Sequence, residues 1–121
     1  EAWGLADAFC RSEAGREVFG PRAGCRVWRE KALEVLDGEN RLVAAAVDRA
    51  VLEEKKGGVL WIYDFKTDQV ADDREWLVRH GSQLRKEAEL LGGWWKRRGG
   101  GEVRVWIAAV RDPRLIEVPA K

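Results

Sequence analysis

Residues 44–68 read AAAVDRAVLEEKKGGVLWIYDFKTD, and the fold turns on how this stretch pairs with itself. Two runs of β-forming residues flank Lys55-Lys56-Gly57-Gly58, and each run carries an aspartate among apolar neighbours: Asp48 in the first, Asp64 in the second. Lys66 follows the second aspartate by two. A three-residue loop, Lys55 to Gly57, puts glycine at the position that commonly needs the left-handed conformation. That loop pairs Glu54 with Gly58 and, counting back, Asp48 with Asp64, with Cβ atoms roughly 4.5–5.5 Å apart. A two- or four-residue loop would shift the register by one and leave the carboxylates on opposite faces. Alternation places Leu42, Ala44, Ala46, Asp48, Ala50 and Leu52 on one face of their strand, and Leu60, Ile62, Asp64 and Lys66 on one face of the next.

Facing like charges destabilise a sheet. A shared proton, water or a cation relieves the conflict, and Lys66 supplies only one positive charge. Two carboxylates with an open approach form a hard-ligand site suited to Mg²⁺, with Mn²⁺ a plausible substitute and several waters retained. The alanines beside Asp48 leave room for a bulky ligand. Such an ion polarises a phosphoryl oxygen and acidifies a bound water, while a lysine one strand step away neutralises charge building on phosphorus. Two acids and a lysine in this pattern are the kit for metal-dependent phosphodiester hydrolysis. The plain alternative is that Asp64-Phe65-Lys66 simply ends a strand at the surface.

At 121 residues the chain is one domain, 1–121, long enough for a core but not for two. A 45% hydrophobic and 36% charged composition is that of a globular chain rather than a disordered one. The net charge of +1 gives no global attraction to polyanions, so any such argument must be local. Cys10 and Cys25 are too few for a four-ligand zinc site or a disulfide scaffold, and a reduced, cytoplasmic setting is the expectation. No apolar run approaches the ~18–20 residues of a membrane span. With Glu1 first and no methionine, we expect a piece of a longer protein.

Leu5, Ala8, Phe9, Val18 and Phe19 stand at loose helical spacing over 5–19, before a stop at Gly20-Pro21. Cys25 to Leu36 is extended, Asp37-Gly38 with Asn40 makes a turn, and Arg41 to Glu54 and Val59 to Phe65 are further strands. Leu77, Leu84, Ala88, Leu91 and Trp95 form the stripe of a helix over 72–98, started by Asp72 and Asp73 and ended by Lys96, Arg97 and Arg98. Gly92-Gly93 marks a potential break. Glu102 to Val110 and Leu115 to Val118 are strands. The order describes an α/β domain with a central mixed sheet.

Val47-Asp48-Arg49, Tyr63-Asp64-Phe65-Lys66-Thr67 and Gln83-Leu84 together resemble the nuclease module of the PD-(D/E)XK superfamily, in the version found at the C-terminus of AddA/RecB-type helicase–nucleases. Val27 to Val35, with Glu30, resembles that family's preceding strand, and the likeness covers roughly residues 25–118. It implies a restriction-endonuclease-like core (α-β-β-β-α-β), with a central mixed sheet flanked by helices. It further implies that Asp48, Asp64 and the backbone carbonyl of Phe65 ligate the metal and that Lys66 is catalytic. Gln83, Thr67, Arg49 and His80 would lie at the DNA. Where the family has a glycine and two aromatics, this chain has Ala45, His80 and Glu87. The family's first-helix ligand has no histidine to match it, only the acids Glu1, Asp7, Glu13 and Glu17.

The expected function is therefore a Mg²⁺-dependent DNA nuclease domain of a helicase–nuclease that processes double-strand ends. Its partners would be DNA, the helicase domains of the parent chain and a second nuclease subunit, with no membrane. The alternative is a catalytically inactive module of the same fold, for DNA guidance or protein docking. Trp61 and Trp106 read as core. Trp94-Trp95 with Lys96-Arg97-Arg98 reads as a dipole-complemented helix end, with DNA contact or packing on a helicase partner as the functional alternatives.

Overall fold

A computed structural model describes residues 2–20, 23–68, 70 and 72–119, with side chains from residue 7 onward. Leu5, Glu1 and Pro21, named above, lie outside the described side chains. The elements run α1 (Ala2–Arg11), α2 (Glu13–Phe19), β1 (Cys25–Leu36), β2 (Leu42–Glu53), β3 (Leu60–Lys66), α3 (Asp73–Arg97), β4 (Val103–Ala109) and β5 (Arg114–Val118). The molecule is an α/β domain whose five strands form one mixed sheet in sequence order, β1-β2-β3-β4-β5, flanked by helices. Only β3 and β4 run parallel, which demands a crossover, and α3 is that crossover.

Period-two alternation splits the core between the faces. Leu60, Ile62, Val105 and Ile107 pack with Trp76, Leu84, Leu91 and Trp95 of α3. Val51, Tyr63 and Ala108 pack on the other side with Phe9 of α1 and Val18 of α2. The single helix expected over 5–19 is two helices, because Ser12 caps the second: its hydroxyl accepts from the Gly15 N–H at 3.0 Å. No break interrupts α3 at Gly92-Gly93; Gly92 is buried, and the helix runs on to its end at Arg97. Trp61 and Trp106 are half-buried against the α1/α2 side rather than enclosed.

The β2–β3 register is the one the three-residue loop requires. Arg49 pairs with Tyr63, Ala50 with Ile62, Val51 with Trp61 and Leu52 with Leu60. The turn closes through Gly58 N–H to Lys55 C=O at 2.9 Å, with Gly57 at φ 73°, a conformation that costs a side-chain-bearing residue about 1–2 kcal/mol.

One expectation about β2 needs correction. The even residues 42–52 do not share one core face. Ala45 and Val47 lie in the α3-side core with Ala50 and Leu52, whereas Ala44, Ala46 and Asp48 are exposed. The same change occurs across the ladder in β1, where Trp28 and then Leu33 and Val35 reach that core. The register is identical above and below, but the rung between Glu30 and Asp48 is missing, and Glu30 sits at φ 45°. A left-handed residue inside a strand re-aims its neighbours, so the long β1–β2 hairpin turns over at the level of Asp48.

At the opposite end of β3 the hairpin tip is tied to the end of α3. Buried Trp95 donates its Nε1–H to the Gly58 carbonyl at 2.8 Å, and Trp94 packs on Trp28 with ring centroids 5.2 Å apart. Trp95 thus belongs to the core, as its place in the helical stripe requires, and is not the surface anchor that the partner-packing alternative would use. Trp95→Phe keeps the ring volume nearly intact but removes one of the two hydrogen bonds that the Gly58 carbonyl accepts, the other coming from the Gly101 N–H, so we expect a loss of about 0.5–1.5 kcal/mol. Denaturant unfolding with an unchanged m-value checks this, and a midpoint equal to that of the parent would contradict it.

Candidate functional site

The site forms where β2 leaves β3. The ladder between them stops at Arg49 and Tyr63, and the next rung is supplied by a side chain. The Phe65 N–H donates to Asp48 Oδ2 at 2.9 Å. A strand residue directs its N–H and C=O to the same edge, so the Phe65 carbonyl faces the gap that the Asp48 carboxylate borders. The missing Glu30–Asp48 rung opens that gap from the other side.

Asp64 and Lys66 project together from β3, as their spacing requires. Lys66 Nζ lies 3.2 Å from Asp64 Oδ2, with both side chains mostly covered. The contact is an ion pair without hydrogen-bond alignment, so this buried oxygen has no hydrogen-bond donor among the described residues. Burial pushes the Asp64 carboxyl above its ordinary range; Lys66 pulls it back, and the facing Asp48 raises it again.

A third carboxylate, which the motif reading passed over, belongs to the same neighbourhood. Glu87 sits in the core-facing stripe of α3, between Leu84 and Leu91, where the spacing calls for an apolar residue, and it is half-buried. Burial raises its carboxyl, and the charges of Asp64 and Asp48 raise it further, against the pull of Lys66. The available signal was a charged residue three after one core leucine and four before another.

The remaining expected residues separate. Thr67 is exposed, and its carbonyl accepts from Arg111 Nε at 2.9 Å. His80 lies against Trp76, with Nε2 3.2 Å from Asp68 Oδ2. Burial would raise the Asp68 carboxyl, but His80 and Arg79 outweigh it and hold it below the ordinary value. Gln83 is exposed on α3, one turn before Glu87. Arg49 is only 6% exposed, on the α1/α2 side, with its guanidinium 4.6 Å from the centre of the Phe19 ring. A cleft of about 480 Å³ lies beside it, lined by Phe19, Arg29, Glu30, Asp48, Arg49 and Phe65, so that Asp48 but not Asp64 stands on its wall. Of the first-helix acids, Asp7 pairs with Arg11 at 3.3 Å.

Among the described residues no three His, Cys, Asp or Glu side chains stand close enough to hold one ion. A cation here would take two carboxylates at most, completed by the backbone and water, which is the habit of Mg²⁺. The donor set fits: hard oxygens only, one of them buried without a hydrogen bond. No protein-family model matches the chain, and no curated protein matches it either.

The crowding has a pH signature in metal-free solution. A carboxyl whose folded pKa is raised favours folding below its unfolded pKa, and that contribution is lost as pH rises through the folded pKa. Glu87→Gln should therefore stabilise the chain at pH 7 by about 0.5–1 kcal/mol, after solvent screening, or roughly 2–4 °C in Tm. The gain should vanish below pH 4, where Glu87 is protonated in both states. A gain that persists at low pH would place its cause outside the carboxylate cluster.

Proposed function

We propose that the chain is a divalent-metal-dependent DNA nuclease domain with a restriction-endonuclease-like core, acting within a helicase–nuclease on double-strand ends. One observation carries the reading: Asp48 Oδ2 on the Phe65 N–H at the point where β2 and β3 part, with Asp64 and Lys66 beside it. The element order, helices and a three-strand meander followed by a crossover helix and a parallel strand, supports it as well. The hypothesis takes Asp48, Asp64 and the Phe65 carbonyl as the residues that hold Mg²⁺ or Mn²⁺.

When bound, the ion would polarise the scissile phosphoryl group and lower the pKa of a water. The protein's own residues do the rest. Asp48 is fixed by the Phe65 N–H, so its second oxygen is pre-aimed rather than free to rotate. Asp64, held partly out of water, gains more from a cation than an exposed acid would. Lys66 offers an N–H of its Nζ as a hydrogen bond to the oxygen on which charge accumulates, and water attacks phosphorus directly, with no covalent enzyme intermediate.

Two measurements test this together. Calorimetric titration with Mn²⁺ should show one site in the parent chain and none in Asp48→Asn or Asp64→Asn. Cleavage of linear DNA by the intact protein should fall at least about 10²-fold in Asp64→Ala and in Lys66→Ala, with unfolding midpoints little changed. Cleavage that survives either substitution, or ion binding indifferent to both aspartates, would refute the assignment. Ion binding without cleavage by the intact protein would favour the inactive guidance module.

A further inference from the structure

A second feature lies at the far end of β3. The β2–β3 hairpin tip and the C-terminal end of α3 border a cleft of about 470 Å³, lined by Glu54, Lys55, Lys56, Trp95, Arg98, Gly99 and Gly100. Lys55, Lys56 and Arg98 on its wall are exposed, as are Lys96 and Arg97 just before Arg98 on α3. Helix-dipole complementation accounts for the three cations on α3. It does not account for Lys55 and Lys56, which come from another element and still lie beside Arg98, where like charges repel.

The two parts are pinned together by backbone. Gly57 N–H donates to Gly99 C=O and Gly101 N–H to Gly58 C=O, both at 2.8 Å, with Leu60 N–H to Glu102 C=O at 2.9 Å just beyond. A Cβ at position 101 would stand 2.6 Å from the Gly57 carbonyl oxygen, so glycine is required for this approach. Of the acids near the cleft among the described residues, Glu54 is engaged by Arg26 at 3.4 Å and Glu53 by Lys55 at 3.8 Å. Arg98 lies with its guanidinium 4.8 Å from the centre of the Trp94 ring, fixed as a flat donor. Lys55, Lys56 and Arg98 thus share one cleft with a single long ion pair among them, Lys55 with Glu53, among the described residues, an arrangement that an anion in the cleft would relieve.

We propose that this cleft is a docking site for the phosphodiester backbone of the DNA, separate from the acid pair. The identity of the polyanion as DNA rests on the nuclease reading; the patch itself does not. From Leu60 to Lys66 the strand advances about 20 Å, and from Glu87 to Arg98 the helix advances about 17 Å. A DNA strand leaving the patch along this side therefore reaches the acids after about six nucleotides, at roughly 3.4 Å per step. The patch acts as a sequence-independent grip that sets how far from a held segment the cut falls.

The test measures fluorescence anisotropy of labelled 20-nucleotide DNA on the intact chain in EDTA, from 50 to 200 mM salt. Lys55→Gln/Lys56→Gln/Arg98→Gln should bind at least about 10-fold more weakly and flatten the plot of log affinity against log salt by about 2, as three lost phosphate contacts require. A control with equal charge loss, Arg11→Gln/Arg16→Gln/Arg74→Gln, should keep the parent slope. An unchanged slope in the triple variant, or an equal loss in the control, overturns the proposal. So does loss of binding to phosphatidylserine vesicles with DNA binding unaffected, which reassigns the patch to a membrane surface. The two readings fail separately. A parent that takes up Mn²⁺ at Asp64 but ignores these cations loses only the grip; one whose DNA affinity needs them while cleavage survives Asp64→Ala loses only the nuclease.

Discussion

A carboxylate in place of a peptide carbonyl organises this molecule. Strands β2 and β3 pair normally up to Arg49 and Tyr63, and then the Asp48 side chain takes the Phe65 N–H that a continuing strand would have received. The substitution gives a protein partner to a backbone donor that would otherwise turn to water, and it lets β2 turn away without a vacant rung. The turn-over at Glu30, left-handed and opposite Asp48, is the complementary half of the same event. Together they open the sheet at one place and border the opening with acid. Neither alone does so: a straight β1–β2 hairpin would bury Asp48 under its neighbours, and a hydrophobic residue at 48 would leave the Phe65 N–H to water.

The electrostatics follow from that geometry. Three acids, Asp48, Asp64 and Glu87, answer to a single ammonium, and the carboxyls of Asp64 and Glu87 are both pushed upward, with burial as the leading cause. A chain selected for stability alone would place a leucine at 87, since Leu84 and Leu91 on either side are in the core. Retaining a carboxylate there keeps the site short of positive charge. Shortage of this kind is what functional sites show when they are built for a ligand that arrives later.

Much of this was legible before any coordinates. A glycine at 57 specified the turn, the turn specified the register, and the register brought Asp48 level with Asp64; each step is local chemistry with a period-two count. Strand bounds were recovered to within a residue or two for the same reason. Legibility failed where the fold breaks its own periodicity. The even-numbered face assumed for β2 held only from Ala50 onward, because nothing in Glu30 announces a positive φ. The break at Ser12 was hidden because the apolar spacing on either side fits a single helix, and the capping hydroxyl decides otherwise. Glu87 enters the motif comparison only as a departure from an aromatic, although a charge three after Leu84 and four before Leu91 already marks a carboxylate turned toward the sheet. The stripe placed Trp95 correctly on the core face, but its bond to Gly58 joins residues far apart in sequence and no local pattern announces it.

The account stands or falls on whether the opening between β2 and β3 is a cation site. Crystals soaked in MnCl₂ and measured above the manganese absorption edge settle that directly. The account predicts one anomalous peak within ligand distance, about 2.0–2.3 Å, of oxygens from Asp48, Asp64 and the Phe65 backbone, with the remaining positions filled by water. A map with no peak there at saturating manganese, and Lys66 still seated on Asp64, would contradict it.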